Sequence, residues 1–363
     1  MTTEQDVTEN FEIHEQMSSA FWYWKSLFNW TISSSSLLNE AENRILSYLK
    51  SPYRTFFVEI GAVVGETDRI WTIALNTESP EVPLVLLHGL GSGIGLWILN
   101  LDELSATRPV YAIDILGFGR SSRPIFSRDA MECEEQFVKS LEAWCTNMNI
   151  QKMILLGHSM GGFIAAGYAL KHPQRLKHLI LADPWGFPTE AIDANKRLSV
   201  WVRTLARVAT PLNPLFPIRA AGPFGKWLVG KVRPDIIQKF SSAMMEVEHG
   251  DDLMALYLQQ CNTQAPTGES AFHCMLQFLG CAKHPMENRI TNLDEDVPIT
   301  FIHGTRSWID PTIGEKVKTE RKNSFVDCKQ VTDAGHHVYA DNPEVFNQIV
   351  NEVCSLYGHK HSA

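Results

Sequence analysis

A serine set between two glycines is the first place where this sequence could do chemistry. Residues 157–161 read Gly-His-Ser-Met-Gly, a G-x-S-x-G pattern with Ser159 at its centre. The apolar residues 153–156 before it predict a buried strand, and the Ala-rich residues 163–170 after it predict a helix. The glycines allow a sharp strand-to-helix turn that exposes the serine at the carboxyl edge of a sheet. We therefore predict that Ser159 is a nucleophile on such an elbow.

A nucleophilic serine needs a base that takes its proton and an acid that orients the base. His336 is the predicted base, because it follows the last predicted strand and Gly335 before it lets the loop turn the imidazole inward. The adjacent His337 is predicted to be a surface or supporting residue. His158, beside the serine, is predicted to pack within the elbow.

Two aspartates compete for the role of the acid. Asp310 lies in the loop after the seventh predicted strand, and Asp183 closes the strand after the elbow helix. We predict Asp310, because its loop is long enough to return a carboxylate to His336, whereas Pro184 stiffens the chain directly behind Asp183. The order Ser159, Asp310, His336 is then nucleophile, acid and base, an order known in serine hydrolases built on a parallel sheet.

The negative oxygen that forms when the serine attacks an ester needs two N–H donors. One is predicted from Met160, directly after the nucleophile, and the other from Leu90, in the loop after the third predicted strand. The alternative for this loop, which begins with His88 and Gly89, is a simple turn that ends a strand.

Short apolar segments alternate with helical patterns along most of the chain, which predicts an α/β fold. The expected architecture is a mostly parallel central sheet with helices on both faces. The core is expected to comprise residues 53–188 and 297–358, and residues 189–296, rich in Pro, Trp, Phe and Leu, break the alternation. This insertion predicts a helical lid over an apolar site; the alternative is a helical subdomain with its own core.

Composition narrows the classes of function. The net charge of −9 argues against a nucleic-acid partner, and the seven cysteines lack metal-ligand spacing, so no cofactor or metal is expected. No apolar run is long enough to span a bilayer, and the acidic start resembles neither a signal peptide nor a transit peptide. The expected location is the cytoplasm.

An aromatic cluster in the N-terminal segment, residues 1–52, predicts contact with lipid. Trp22, Trp24 and Trp30 stand close together before the first predicted strand, and tryptophan suits the boundary between membrane and water. We therefore expect peripheral binding to lipid droplets or intracellular membranes, mitochondria included. The alternative is that these rings pack on the domain.

Several motifs together resemble one subfamily, the α/β-hydrolase domain-containing proteins 4 and 5. The matching residues are 86–89 (LLHG), 111–124 (YAIDILGFGRSSRP), 154–162 (ILLGHSMGG), 184–188 (PWGFP) and 336–343 (HHVYADNP). The resemblance implies an α/β-hydrolase fold and a serine hydrolase of acyl esters in phospholipids or lysophospholipids. It also places the acid at Asp310.

One branch of this subfamily implies an alternative, a non-catalytic lipid-droplet coactivator that binds a triglyceride lipase and a droplet-coat protein. That branch typically carries Asn at the nucleophile position, where this chain has Ser159. Arg306, however, resembles the coactivator branch, in which a basic residue at this place is linked to lipase activation.

The pair His336 and Asp341 has the H-x4-D spacing that is read in this subfamily as an acyltransferase signature. It implies acyl transfer to lysophosphatidic acid as a further activity. The alternative assigns Asp341 and Glu344 to a capping box at the start of the last helix, and leaves His336 to Ser159.

Overall fold

The computed structural model describes residues 34–188, 215–248, 250–277 and 280–357. The predicted lipid anchors Trp22, Trp24 and Trp30 lie outside these residues, as do residues 189–214 of the predicted lid. None of the described helices combines the length and the apolar character that crossing a bilayer requires.

An eight-stranded sheet forms the centre of the molecule, in the order β1-β2-β4-β3-β5-β6-β7-β8. Strand β2 runs antiparallel to both of its neighbours, and β3 to β8 are parallel. The predicted fold class is confirmed. The strands are β1 (Tyr53–Gly61), β2 (Asp68–Leu75), β3 (Leu84–Leu87), β4 (Val110–Ile113), β5 (Met153–His158), β6 (Leu176–Ala182), β7 (Ile299–Gly304) and β8 (Val326–Val331).

The central strands are apolar along their whole length because both faces of the sheet are covered. Leu84 and Leu86 of β3 belong to one hydrophobic cluster, and Val85 and Leu87 belong to another on the opposite face. The helices over these faces and at the chain end are α1 (Ser35–Leu46), α2 (Leu101–Leu104), α3 (Ala130–Asn147), α4 (Met160–Lys171), α10 (Thr312–Glu320), α11 (Val338–Asp341) and α12 (Pro343–Tyr357).

The insertion between β6 and β7 is helical wherever the structure describes regular elements in it. One helix of the insertion, α8 (Leu253–Thr263), is buried along nearly its whole length and packs against α1. That this insertion moves as a lid stays a prediction. Its helices are α5 (Phe216–Ala220), α6 (Gly225–Val232), α7 (Pro234–Met245), α8 (Leu253–Thr263) and α9 (Thr267–Met275).

Candidate active site

The turn between β5 and α4 holds Ser159 in a strained backbone conformation. Its φ of 55° and ψ of −119° lie in a region that residues other than glycine rarely occupy. The flanking glycines make the turn sterically feasible. A Cβ on Gly157 would lie 2.2 Å from the Gly161 carbonyl oxygen, and a Cβ on Gly161 would lie 2.5 Å from the Leu87 carbonyl oxygen. The predicted elbow is therefore present.

Three side chains form a continuous hydrogen-bonded line from this elbow. Nε2 of His336 lies 2.9 Å from Oγ of Ser159, and Nδ1 of the same ring lies 2.6 Å from Oδ2 of Asp183. A carboxylate only accepts, so the ring donates through Nδ1 and leaves Nε2 free to accept the serine proton. The predicted contact between Ser159 and His336 is present, and this geometry can activate the hydroxyl.

Asp183 is fully buried at the end of β6. Oδ1 lies 3.2 Å from Nδ1 of His303, and the hydroxyl of Ser307 donates to Oδ2. Burial alone would raise the pKa of the Asp183 carboxyl, but the hydrogen bonds from His303, His336 and Ser307 outweigh it and hold this pKa below its ordinary value. The carboxylate is thus kept negative beside the imidazole.

The prediction that Asp310 orients His336 is wrong. Oδ1 of Asp310 instead accepts from the backbone N–H of Thr312 at 2.9 Å and from its hydroxyl at 2.7 Å, at the start of α10. No long loop is needed to bring an acid to the site, because β6 lies beside the serine strand β5 in the sheet. Asp183 extends directly from that edge with φ of 46°, so the stiffness of Pro184 behind it does not matter.

In the H-x4-D pair, Asp341 does not orient the ring of His336, because the carboxylate hydrogen-bonded to that ring is Asp183. Oδ2 of Asp341 accepts the N–H of Gly335 at 2.9 Å, and its carboxylate pairs with Nζ of Lys239, from α7, at 3.0 Å. Asp341 ends α11 and does not cap the last helix. There, Oδ1 of Asn342 accepts the N–H of Val345 at 3.3 Å, so the predicted capping box is wrong.

Replacing Asp341 with Ala should lower kcat about tenfold on a soluble short-chain ester, with a smaller change in KM. The Gly335 N–H would lose its acceptor directly before His336, and small displacements of a reacting group cost much rate. Asp341→Asn keeps an acceptor for this N–H and should retain most of the activity. Rates and melting temperatures of both variants test this. Full activity of Asp341→Ala would show that the hydrogen bond does not position the base.

Two further histidines support the base. Nε2–H of His158 donates to the carbonyl oxygen of His336 at 2.9 Å, and burial followed by the proximity of His336 lowers the pKa of His158 to about 3. His158 therefore packs within the elbow as predicted. A surface position for His337 is wrong. Its ring is buried against His158, and burial first, then the neighbouring histidines, places its pKa well below the ordinary value.

His303 and Ser307 are contacts of the acid that the sequence analysis missed. The available signal was positional: His303 and Gly304 end β7, as His88 and Gly89 follow β3, and the carboxyl ends of parallel strands share one edge.

The loop after β3 passes directly over the serine. A Cβ on Gly89 would lie 3.1 Å from Cβ of Ser159, and Leu90 lines the same cavity as the serine. Nε2 of His88 accepts the N–H of Ile115 at 3.0 Å, which fixes this loop to the strand β4 region. No acceptor for the N–H of Leu90 or Met160 is found among the described residues. Their role as oxyanion donors stays a prediction.

A cavity of about 720 Å³ opens above the catalytic pair. Its apolar lining comes from Leu90, Trp185, Phe272, Leu276 and Trp308, and its charged lining comes from Arg233, Asp235, Lys239, Arg306 and Asp341. Arg306 is exposed, and its guanidinium donates to the carbonyl oxygen of Asp333. Its predicted link to lipase activation stays a prediction. Within the described ranges, no group of His, Cys, Asp and Glu side chains is arranged to hold a metal ion.

Comparisons with known proteins agree with the fold. Residues 82–343 match the family model of the alpha/beta hydrolase fold. Among solved structures, a membrane phospholipase A described as a bacterial virulence factor is 20% identical with a TM-score of 0.61, over 96% of this chain and 99% of that one. The carboxylesterase CesB of Bacillus subtilis is 16% identical with a TM-score of 0.59, over 88% and 97%.

Two relatives are much closer in sequence. The (lyso)-N-acylphosphatidylethanolamine lipase of Mus musculus is 45% identical over 89% of this chain and 93% of its own length. The 1-acylglycerol-3-phosphate O-acyltransferase ABHD5 of Mus musculus is 48% identical over 89% and 90%. Identity at this level over nearly the whole length confirms the resemblance seen in the motifs. The chain therefore belongs to the α/β-hydrolase family, in the subfamily of α/β-hydrolase domain-containing proteins 4 and 5.

Proposed function

We propose that this protein is a serine hydrolase of acyl esters in glycerophospholipids. The observation that carries the proposal is the unbroken hydrogen-bonded line from Oγ of Ser159 through His336 to buried Asp183, with separations of 2.9 and 2.6 Å. Such a line is the arrangement that activates a serine for acyl transfer on unrelated folds.

In this mechanism Oγ of Ser159 attacks the ester carbonyl while Nε2 of His336 takes the hydroxyl proton. The resulting imidazolium is stabilised by the Asp183 carboxylate, and the N–H groups of Leu90 and Met160 donate to the negative carbonyl oxygen. Collapse expels the alcohol, which receives the proton from His336, and leaves the acyl group on Ser159. Water, deprotonated by the same histidine, then attacks the acyl-serine. The bond to Oγ of Ser159 breaks, the fatty acid leaves, and His336 returns the proton to Oγ.

The lipid class rests on the relatives and on the cavity. Both mouse relatives are named for glycerophosphate lipids, and the apolar side chains Trp185, Phe272 and Leu276 beside Ser159 suit an acyl chain. Acyl transfer to lysophosphatidic acid needs only a lysolipid hydroxyl in place of water at the acyl-serine stage. In this proposal it uses the same Ser159 and His336, and Asp341 contributes by holding the loop.

The experiment is a comparison of phospholipid, lysophospholipid, triacylglycerol and monoacylglycerol of one acyl chain, presented in matched mixed micelles to purified wild-type protein. We expect free fatty acid from the phospholipids at more than about ten times the rate from triacylglycerol. Adding lysophosphatidic acid and measuring phosphatidic acid separates transfer from hydrolysis. Release from triacylglycerol alone would contradict the proposed lipid class.

A further inference from the structure

The charge of the cavity lining differs in sign from the charge of the chain. The whole chain carries a net charge of −9, yet the cavity is lined by three cations and only two carboxylates. Arg233 and Lys239 come from the insertion, and Arg306 comes from the loop after β7. A local excess of positive charge in a cleft attracts anionic ligands.

The insertion's cations and the apolar side chains around Trp185 are connected to different members of the catalytic pair. The apolar side chains beside the serine are grouped around Trp185, whose backbone N–H donates to the Ser159 carbonyl oxygen at 3.1 Å. The ring of Trp185 lies 4.6 Å from that of Phe272 on α9. The ring of Trp185 also contacts Phe163 in the core. These side chains therefore meet the catalytic pair at the serine.

The insertion's cations meet the catalytic pair at the histidine. Lys239 on α7 pairs with Asp341, which accepts the Gly335 N–H directly before His336. Arg233 and Lys239 are both close enough to His337 to lower its pKa, after burial and the neighbouring histidines. A ligand whose ester lies between Ser159 and His336 thus has Trp185 and Phe272 toward the serine, and it has the two cations, together with the ring of Trp308, toward the histidine.

Both cations keep donors for a ligand. Arg233 has five N–H donors, and its contacts with Asp235 involve Nε and Nη2, each at 3.1 Å from a carboxylate oxygen. This pair is about half exposed, at 44% and 51%, so water and salt screen the attraction between its two charges. The ammonium of Lys239 has three hydrogens and its contacts are with the single carboxylate of Asp341.

We propose that Arg233 and Lys239 form a phosphate-binding wall that holds the head group of a monoacyl glycerophosphate while its acyl chain lies along Trp185 and Phe272. This proposal rests on the function proposed above and names the head group that the site selects. Phosphate suits the wall better than a neutral glycerol head, since guanidinium and ammonium groups bind phosphate through charge-assisted hydrogen bonds.

The binding test uses the Ser159→Ala protein, which cannot turn over the ligand. Titration calorimetry with 1-acylglycerol-3-phosphate and with a monoacylglycerol of the same chain, both below micelle formation, should show binding at least about tenfold tighter for the phosphate lipid. Adding Arg233→Met or Lys239→Met should remove that preference and leave monoacylglycerol binding unchanged. Inorganic phosphate is titrated separately. Because it lacks the acyl chain, we expect it to compete with the phosphate lipid only at concentrations on the order of millimolar.

Lys226→Met is the matched control. Lys226 lies on α6 of the same insertion and pairs with Asp252 at 2.9 Å, away from the cavity lining. It should keep the preference for the phosphate lipid. Arg233→Lys should keep part of that preference, because it retains the charge but loses the planar fork.

The kinetic test separates this proposal from the proposed function. In the wild-type background, Arg233→Met should raise KM for the phosphate lipid about tenfold and leave kcat and the hydrolysis of monoacylglycerol near wild type. Equal affinity of the Ser159→Ala protein for both lipids, or equal losses for both lipids in Arg233→Met, would overturn the phosphate wall while the hydrolase stands. Selective binding of the phosphate lipid without hydrolysis by the wild type would support the wall and contradict the hydrolase.

Discussion

Asp183→Asn should lower kcat by roughly 10²–10⁴, whereas Asp310→Asn should stay within about twofold of wild type. Asp183 lies 2.6 Å from Nδ1 of His336 and is fully buried. An amide in its place can present an N–H to the ring, which favours the tautomer with the proton on Nε2 and removes the acceptor that the serine hydroxyl needs. The imidazolium of the transition state also loses its negative partner.

The measurement is the rate of ester hydrolysis and the melting temperature of both variants. Asp183 accepts from His303 and Ser307 as well, so Asp183→Asn is expected to melt at a lower temperature than the wild type. Rates are therefore compared at a temperature where both variants are folded by circular dichroism. An active Asp183→Asn protein together with an inactive, folded Asp310→Asn protein would show that Asp310, and not Asp183, is the acid that orients His336.

The parts of the fold that sequence reasoning predicted are those with a periodic physical cause. All eight strands were predictable. The central parallel strands are short apolar runs between turn residues, and the antiparallel strands β1 and β2 are joined by a turn at residues 65–68. The elbow was predictable because Gly157 and Gly161 occupy positions where a Cβ would collide with backbone. The ends of helices were less predictable from the sequence. The pattern predicts a helix over residues 37–50, but α1 spans Ser35–Leu46, and its start is fixed by the Ser34 hydroxyl, which accepts the Leu37 N–H.

The acid was missed because the prediction weighed loop length, whereas the position of β6 beside β5 decides which carboxylate lies next to His336. In the sheet, β6 lies between β5 and β7, so Asp183 reaches the serine edge without a loop. Loop length favoured Asp310, but its carboxylate is engaged by Thr312 two residues further along. A short aspartate side chain commonly bonds the backbone just after it, and this local bond competes with any distant role.

The H-x4-D spacing misled for a related reason. A spacing of five residues does not bring two side chains to one face of a helix or a strand, because i and i+5 lie about 140° apart around an α-helix and on opposite faces of a strand. Here α11 begins after His337, so His336 lies in the preceding loop and turns toward Ser159, while Asp341 turns toward Gly335 and Lys239. The same two residues thus contribute to one site as base and as loop support.

Ser159→Ala should lower turnover of phospholipid esters by roughly 10⁴–10⁶, scaled from serine hydrolases that lose the nucleophile. It should also abolish labelling by a fluorophosphonate probe, which reacts only with an activated serine. The alanine should fold, because the Ser159 hydroxyl contacts His336 at a cavity wall and the turn is imposed by the glycines around it. Alanine keeps only the Cβ that serine already has at this φ of 55°, so the substitution adds no new clash.

This variant also separates the enzyme from the coactivator alternative. A non-catalytic partner of a triglyceride lipase would keep its stimulation in Ser159→Ala, and would lose it in Arg306→Ala, whose exposed guanidinium lies at the rim of the same cavity. We expect the opposite dependence for hydrolysis: loss in Ser159→Ala and a rate within a few-fold of wild type in Arg306→Ala. Undiminished phospholipid hydrolysis and probe labelling by a purified Ser159→Ala protein would exclude Ser159 as the nucleophile, and with it the mechanism proposed for this site.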